Sequence, residues 1–128
     1  EAYLKKQGYK ILERNYKNKI GEIDLIAEKN EEIVFVEVKS RSSNKFGMPK
    51  EAVNFQKQFK IKKVAECYLL NKNRYNSKIS FDVIEYTPNK EVVHLKNCFK
   101  KKKKVLANLI IICYLIMDFG WSSAKLCA

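Results

Sequence analysis

Residues 20–41, IGEIDLIAEKNEEIVFVEVKSR, decide the fold and hold most of the chemistry of this chain. Apolar residues recur at every second position on either side of Asn30 and Glu31, which is typical of two β-strands joined by a tight turn. Four charged side chains interrupt the apolar pattern: Glu22, Asp24, Glu37 and Lys39. We therefore predict a central β-hairpin that carries a functional site.

A two-residue turn at Asn30 and Glu31 would fix the register of this hairpin. Opposed residues, and residues two apart, project to the same face of an antiparallel pair. The predicted pairs on the polar face are Asp24 with Glu37, Glu22 with Lys39, and Ile26 with Phe35. The predicted pairs on the apolar face are Ile23 with Val38, Leu25 with Val36, and Ala27 with Val34. The prediction requires a turn of even length, since a slip of one residue reverses the faces of one strand.

Two carboxylates that face each other repel unless a cation lies between them. Oxygen ligands suit Mg²⁺ or Mn²⁺, and Mg²⁺ usually keeps several waters for substrate phosphates. A lysine beside the metal could position the attacking water or stabilise charge on the phosphate. The alternative is a surface strand pair in which Glu22 and Lys39 form a cross-strand salt bridge. Apolar neighbours on both faces favour the metal site.

The rest of the chain predicts helices and strands that surround this hairpin. We expect a helix end over residues 1–7 with Gly8 as its cap, a strand over 9–16, and hairpin strands over 20–29 and 32–41. A loop over 42–48 and an unassigned piece over 49–53 should precede a helix over 55–71, capped by Asn54. Strands are expected over 78–87 and 91–95. This order predicts an α/β fold with a mixed sheet and helices packed on it, and the second helix should cover Ile26 and Phe35.

The charge of the chain favours a polyanionic partner. The formal net charge is +12, and residues 1–99 still carry +7 without the last 29 residues. Four cysteines without a CxxC pair and a single histidine argue against a zinc site. Nothing at the N-terminus of the given sequence resembles a signal peptide, so we expect reduced thiols and a cytoplasmic protein. We also expect Asp82 to be structural or exposed and His94 to lie at the surface.

The hairpin motifs resemble those of known nucleases. Asp24 in GEIDLIA, followed by Glu37 and Lys39 in VFVEVKSR, is similar to the PD-(D/E)xK signature. A longer set follows the order of the YraN family of bacterial proteins, which resemble Holliday-junction resolvases. The set covers about residues 2–99 and consists of LKKQGYKILERNY, GEIDLIA, VFVEVKSR, KQFKI, AECYLL, SFDVIEY and HLKNCF.

This resemblance implies a restriction-endonuclease-like fold and metal-dependent hydrolysis of DNA, at branched or single-stranded sites. By motif, Asp24 and Glu37 would hold Mg²⁺ or Mn²⁺, Lys39 would be catalytic, and Glu22 would be an accessory acid. Lys57 matches a helix lysine of the family that would contact the DNA backbone. No small-molecule cofactor is expected. The alternative function is a non-catalytic nucleic-acid-binding module on a nuclease scaffold.

Other basic side chains could extend the predicted DNA contact. Arg41 and Lys60 could form a rim beside the cleft that binds phosphates. The alternative for the lysines of the second helix is an ordinary solvated helix face.

The chain divides by composition at residue 100. Residues 1–99 form the predicted nuclease-like domain, whose N-terminal helix we expect to be truncated because residue 1 already lies near a helix end. Residues 100–128 join five lysines to a 13-residue apolar run, too short for a membrane-spanning helix of about 20 residues. Three interpretations stay open: a non-native extension, a helix packed on the body, or a segment that contacts an anionic membrane.

Overall fold

The computed structural model describes residues 1–40, 53–87 and 89–99. These residues form, in chain order, α1 (Ala2–Lys6), β1 (Lys10–Lys17), β2 (Glu22–Lys29), β3 (Glu32–Ser40), α2 (Phe55–Asn71), β4 (Lys78–Tyr86) and β5 (Val92–Leu95). The predicted order of helices and strands is confirmed. Arg41, the predicted loop over 42–48, nearly all of the unassigned piece and the 100–128 tail lie outside the described residues.

The turn between β2 and β3 has the predicted length. Asn30 and Glu31 both adopt positive φ angles, of 50° and 62°, as the two central residues of a type I′ turn require. The pairing then runs from Lys29 opposite Glu32 to Leu25 opposite Val36. This is the predicted register over the half of the hairpin nearest the turn.

Five strands form one mixed sheet in the order β1-β2-β3-β4-β5. Strands β3 and β4 are parallel, whereas the other neighbours are antiparallel. A parallel pair needs a long crossover connection, and α2 lies in the segment that joins β3 to β4. The fold is therefore α/β, consistent with a restriction-endonuclease-like architecture.

The two faces of the sheet carry separate apolar clusters. On one face, α2 contributes Val64 and Tyr68 to the cluster that contains Ile26 and Phe35, so the predicted cover for these residues is confirmed. The other face joins the apolar hairpin residues to the region of α1. Its buried members are Leu4, Tyr9, Leu25, Ala27, Val34, Val36 and Ile84.

Helix α2 begins where its capping residue predicts. The Oδ1 atom of Asn54 accepts a hydrogen bond from the backbone N–H of Lys57 at 2.8 Å, which satisfies one of the free donors of the first turn. This cap fixes the start of the helix beside the end of β3 that carries the charged residues. Within the described ranges, no helix is long and apolar enough to cross a membrane.

Candidate active site

The two hairpin strands separate at Asp24. Their pairing ends at Leu25 opposite Val36, and beyond this point the Oδ2 atom of Asp24 accepts a hydrogen bond from the N–H of Val38 at 2.8 Å. The Asp24 carboxylate thus accepts from a backbone N–H that would otherwise donate to a backbone carbonyl of the neighbouring strand. Past this bond, β2 remains paired with β1 and β3 remains paired with β4. The strands therefore open toward the polar end of the hairpin.

The predicted pair of Ile23 with Val38 is wrong. Ile23 belongs to the cluster under α2, whereas Val38 packs with the opposite cluster. The alternation of β2 shifts by one residue at Asp24, as it does at a β-bulge. Asn15, in the neighbouring strand β1, lies at the same level and adopts a φ of 48°.

The predicted pair of Glu22 with Lys39 is also wrong. Glu22 is opposite Lys17 of β1, and the two side chains form a salt bridge of 3.1 Å. The Glu22 side chain is 60% exposed, so it lies in solvent rather than against Glu37. Lys39 is instead aligned with Glu85 of β4. The separation of the strands at Asp24 accounts for both changes.

Glu37 lies at the centre of the charged residues that the fold brings together. Its side chain is 7% exposed, and its Oε1 atom accepts a hydrogen bond from the Nζ atom of Lys57 in the first turn of α2. The charges of Asp24 and Lys39 also lie close enough to Glu37 to affect the ionisation of its carboxyl group. The Glu37–Lys57 ion pair was not predicted, because their spacing in the sequence does not show where α2 begins in space.

The surroundings of Glu37 disfavour its ionised form. Burial raises the pKa of Glu37 above its ordinary value, and the negative charge of Asp24 raises it further. The hydrogen bond from Lys57 and the charges of Lys57 and Lys39 lower this pKa, but the net direction is upward. Burial therefore outweighs the nearby lysines, and the folded protein holds the proton of Glu37 more tightly than the unfolded chain does.

These residues fit a divalent cation such as Mg²⁺ or Mn²⁺. A cation beside Glu37 and Asp24 would relieve the repulsion and desolvation that raise the pKa of Glu37. Among the described residues, no three or more His, Cys, Asp or Glu side chains are grouped as metal ligands. Two carboxylates are nevertheless a usual protein contribution to a Mg²⁺ site, where waters and substrate phosphates supply the other oxygens.

A further buried acid lies beside Lys39. Glu85 of β4 is 6% exposed and is aligned with Lys39 in the parallel pair of β3 and β4. Parallel partners project to the same face, so Glu85 shares the face of Lys39 and Glu37. Glu85 was not predicted from the sequence, because only the register of the parallel strands brings it to the site.

Two polar residues on the opposite face form a separate buried pair. The His94 Nε2 atom lies 2.7 Å from the Asp82 Oδ2 atom, and their side chains are 4% and 3% exposed. The N–H of Asn97 also donates to Asp82, at 2.9 Å. The predicted surface position of His94 is therefore wrong, because β5 brings it against β4. Asp82 is structural, as one of the two interpretations of the sequence expected.

The raised pKa of Glu37 predicts how stability depends on pH without metal. The folded state binds the Glu37 proton more tightly than the unfolded chain, whose pKa is near 4.5. The stability of the wild type should therefore fall, relative to Glu37→Gln, as pH rises from 4.5 through the raised folded pKa. Thermal unfolding in EDTA across this window measures the difference. A constant difference between the two proteins at every pH would contradict it.

Comparison with known proteins identifies the family. Residues 1–86 match the model of the uncharacterised protein family UPF0102. The chain belongs to this family. The match includes the hairpin, α2 and all of β4, so every described residue of the candidate site lies within it.

Individual UPF0102 proteins are similar over most of the chain. The chain is 54% identical over 98 residues to one from Clostridioides difficile, with coverage of 76% of this chain and 86% of the relative. It is 52% identical over 103 residues to one from Caldanaerobacter subterraneus subsp. tengcongensis, with 76% and 84% coverage. A relative from Fusobacterium nucleatum is 57% identical over 83 residues, with 65% and 70% coverage. These names give the family and no activity.

Proposed function

We propose that this UPF0102 protein is a metal-dependent nuclease that hydrolyses DNA phosphodiester bonds, at branched or single-stranded DNA. The observation that carries the proposal is the charge environment of Glu37. Glu37 is a carboxylate that is 7% exposed and accepts a hydrogen bond from Lys57, with the charges of Asp24 and Lys39 nearby and a pKa raised mainly by burial. Perturbed carboxylates in a polar opening are typical of catalytic sites. The PD-(D/E)xK resemblance of the same residues supports this choice of reaction.

Each residue has a role in this proposal. Asp24 and Glu37 would hold Mg²⁺ or Mn²⁺, which when bound would supply positive charge for the phosphate and activate water. Lys39 shares a face with Glu37 and donates to an oxygen of the reacting phosphate or to the attacking water. Glu85 is aligned with Lys39 in the parallel pair of β3 and β4 and adds a buried acid on the same face as Lys39.

Lys57 is proposed to bind a DNA phosphate at the edge of the site. Its side chain is 47% exposed, so it can exchange its bond to Glu37 for a bond to a DNA phosphate. Lys60, exposed three residues further along α2, adds a second phosphate contact. Arg41 lies outside the described residues, and its contact with a phosphate stays a prediction from the sequence.

A cleavage assay tests the proposed function. The full chain with Mn²⁺ should cut a four-way junction or a single strand, and EDTA should abolish the cutting. Lys39→Ala should slow cleavage by about a hundredfold, the loss usual for one preorganised stabilising group. Cleavage that is unchanged in Lys39→Ala, or that persists in EDTA, would exclude this mechanism.

A non-catalytic nucleic-acid-binding module is the second candidate. The observation that favours it is that the described residues include no group of three or more His, Cys, Asp or Glu side chains placed to hold a metal, and that Glu37 is already bonded to Lys57. This candidate predicts salt-sensitive DNA or RNA binding without cleavage under any divalent metal. Measuring binding and cleavage on the same protein preparation separates the two functions.

A further inference from the structure

Two phenylalanines on α2 are exposed to an unusual degree. Phe55 and Phe59 are 78% and 58% exposed, although large apolar side chains are generally among the buried residues of a domain. They lie one helical turn apart and therefore share a face of α2. Their exposure is a property of the first two turns, because the residues that α2 buries run from Ile61 to Leu69.

The side chains around these rings are basic. Lys60 is exposed in the same turn, and the Nζ atom of Lys63 lies 5.8 Å from the centre of the Phe59 ring. Helix α2 holds four lysines and one acid, and its first turn contains no acid. A partner that carries both aromatic rings and negative charge fits this surface better than a purely apolar partner or an acidic partner without rings.

We propose that Phe55 and Phe59 are a stacking surface for unpaired bases of a nucleic-acid strand that reaches the Glu37 site. The inference rests on the proposed function and gives it a substrate class, DNA with a single-stranded segment. Bases stack on aromatic side chains in a way that tolerates any sequence, and lysines beside the rings neutralise the phosphates.

The position of Lys57 supports a single strand over a duplex. Lys57 lies two residues from each ring, so it projects from a different side of α2, where it contacts Glu37. A strand that contacts both Lys57 and the rings must pass around the first turn of a helix about 10 Å across. Duplex DNA has a persistence length of about 50 nm and resists such a bend, whereas a single strand is flexible enough to follow it.

Fluorescence anisotropy in EDTA tests this surface without cleavage. The probes are a labelled single strand of mixed sequence and the blunt duplex of the same sequence, at one salt concentration. The double variant Phe55→Leu/Phe59→Leu should bind the single strand about tenfold or more weakly, and the duplex within about twofold of the wild type. Leucine keeps the surface apolar, so the loss reports stacking. Both residues are exposed, and circular dichroism verifies that the variant is folded.

Two control variants make the result specific. Tyr75→Leu removes another exposed aromatic ring, 41% exposed and outside α2, and should leave single-strand binding unchanged. Lys60→Gln should reduce the salt dependence of binding by about one phosphate contact, whereas the double leucine variant should keep the wild-type salt dependence.

Several outcomes would overturn the stacking surface. These are wild-type affinity of the double leucine variant for the single strand, an equal loss for strand and duplex, and a wild-type dimer that the variant dissociates. The last outcome would assign the rings to contact with a second copy of the chain. None of these outcomes depends on catalysis, so a protein that binds single strands through the rings but does not cut them would refute only the nuclease function.

Discussion

Asp24→Asn is expected to lower the rate of DNA cleavage with Mn²⁺ by about a hundredfold or more, with little change in stability. Asparagine has nearly the shape of aspartate, and its Oδ atom can still accept the 2.8 Å hydrogen bond from the N–H of Val38. The variant should therefore keep the separation of β2 and β3. It loses the negative charge that pairs with Glu37 around the proposed cation.

The charge lost in Asp24→Asn also predicts how the variant binds metal and DNA. Removal of Asp24 removes a like charge that raises the pKa of Glu37, so the apo site becomes less strained while its affinity for Mn²⁺ falls. DNA binding in EDTA should stay equal or become tighter, because one negative charge near the phosphates has gone. The variant thus separates metal binding from DNA binding.

Single-turnover cleavage, Mn²⁺ titration and DNA binding in EDTA measure these expectations. Glu28→Gln is the matched control, since it removes an acid from the same strand but at the turn end of β2, where Glu28 pairs with Arg74. The control should cleave at nearly the wild-type rate. Equal cleavage by wild type and Asp24→Asn, with equal Mn²⁺ affinity, would exclude Asp24 as a metal ligand.

The sequence predicted the half of the hairpin nearest the turn, for a clear physical reason. Asn30 and Glu31 leave the flanking alternation intact on both sides, so only an even-length turn buries both apolar faces. Helix α2 was equally predictable, with Asn54 as a local cap and apolar residues at helical spacing. These signals come from residues close together in the sequence, and such signals determine single helices and strands and the pairing of strands next to a tight turn.

The other end of the hairpin could not be derived from alternation. The side chain of Asp24 replaces a backbone partner of Val38, and a repeating pattern cannot show that a carboxylate takes the place of a carbonyl. The predicted pairs of Ile23 and Glu22 failed for this reason. Contacts between elements that are distant in the sequence determine the positions of three other side chains, Glu85, Lys57 and His94. The functional roles of Asp24 and Glu37 therefore stay predictions, and the sequence did not show which side chains surround these two acids.

Phe35→Ala is expected to destabilise the protein by about 3–5 kcal/mol, the usual cost of removing a buried phenylalanine. Phe35 is 1% exposed, and its ring centre lies 5.4 Å from Phe81 and 5.9 Å from Tyr68. The ring therefore joins β3 to both β4 and α2. Since small domains are stable by only about 5–15 kcal/mol, this variant should be close to unfolding.

Urea unfolding followed by circular dichroism measures this loss, with Phe59→Ala as a control of the same chemical change. Phe59 is 58% exposed, so its removal should alter stability by no more than about 0.5 kcal/mol. Phe35→Leu leaves part of the contact and should fall between the two, which keeps the test decisive if Phe35→Ala does not fold. Equal stabilities for the variants at 35 and 59 would contradict the packing of β3 against α2.

Because Phe35 lies two residues before Glu37 on the same face, Phe35→Leu should also loosen the Glu37–Lys57 contact and weaken Mn²⁺ binding. The apolar cluster under α2 therefore positions Lys57 of α2 against Glu37 of β3.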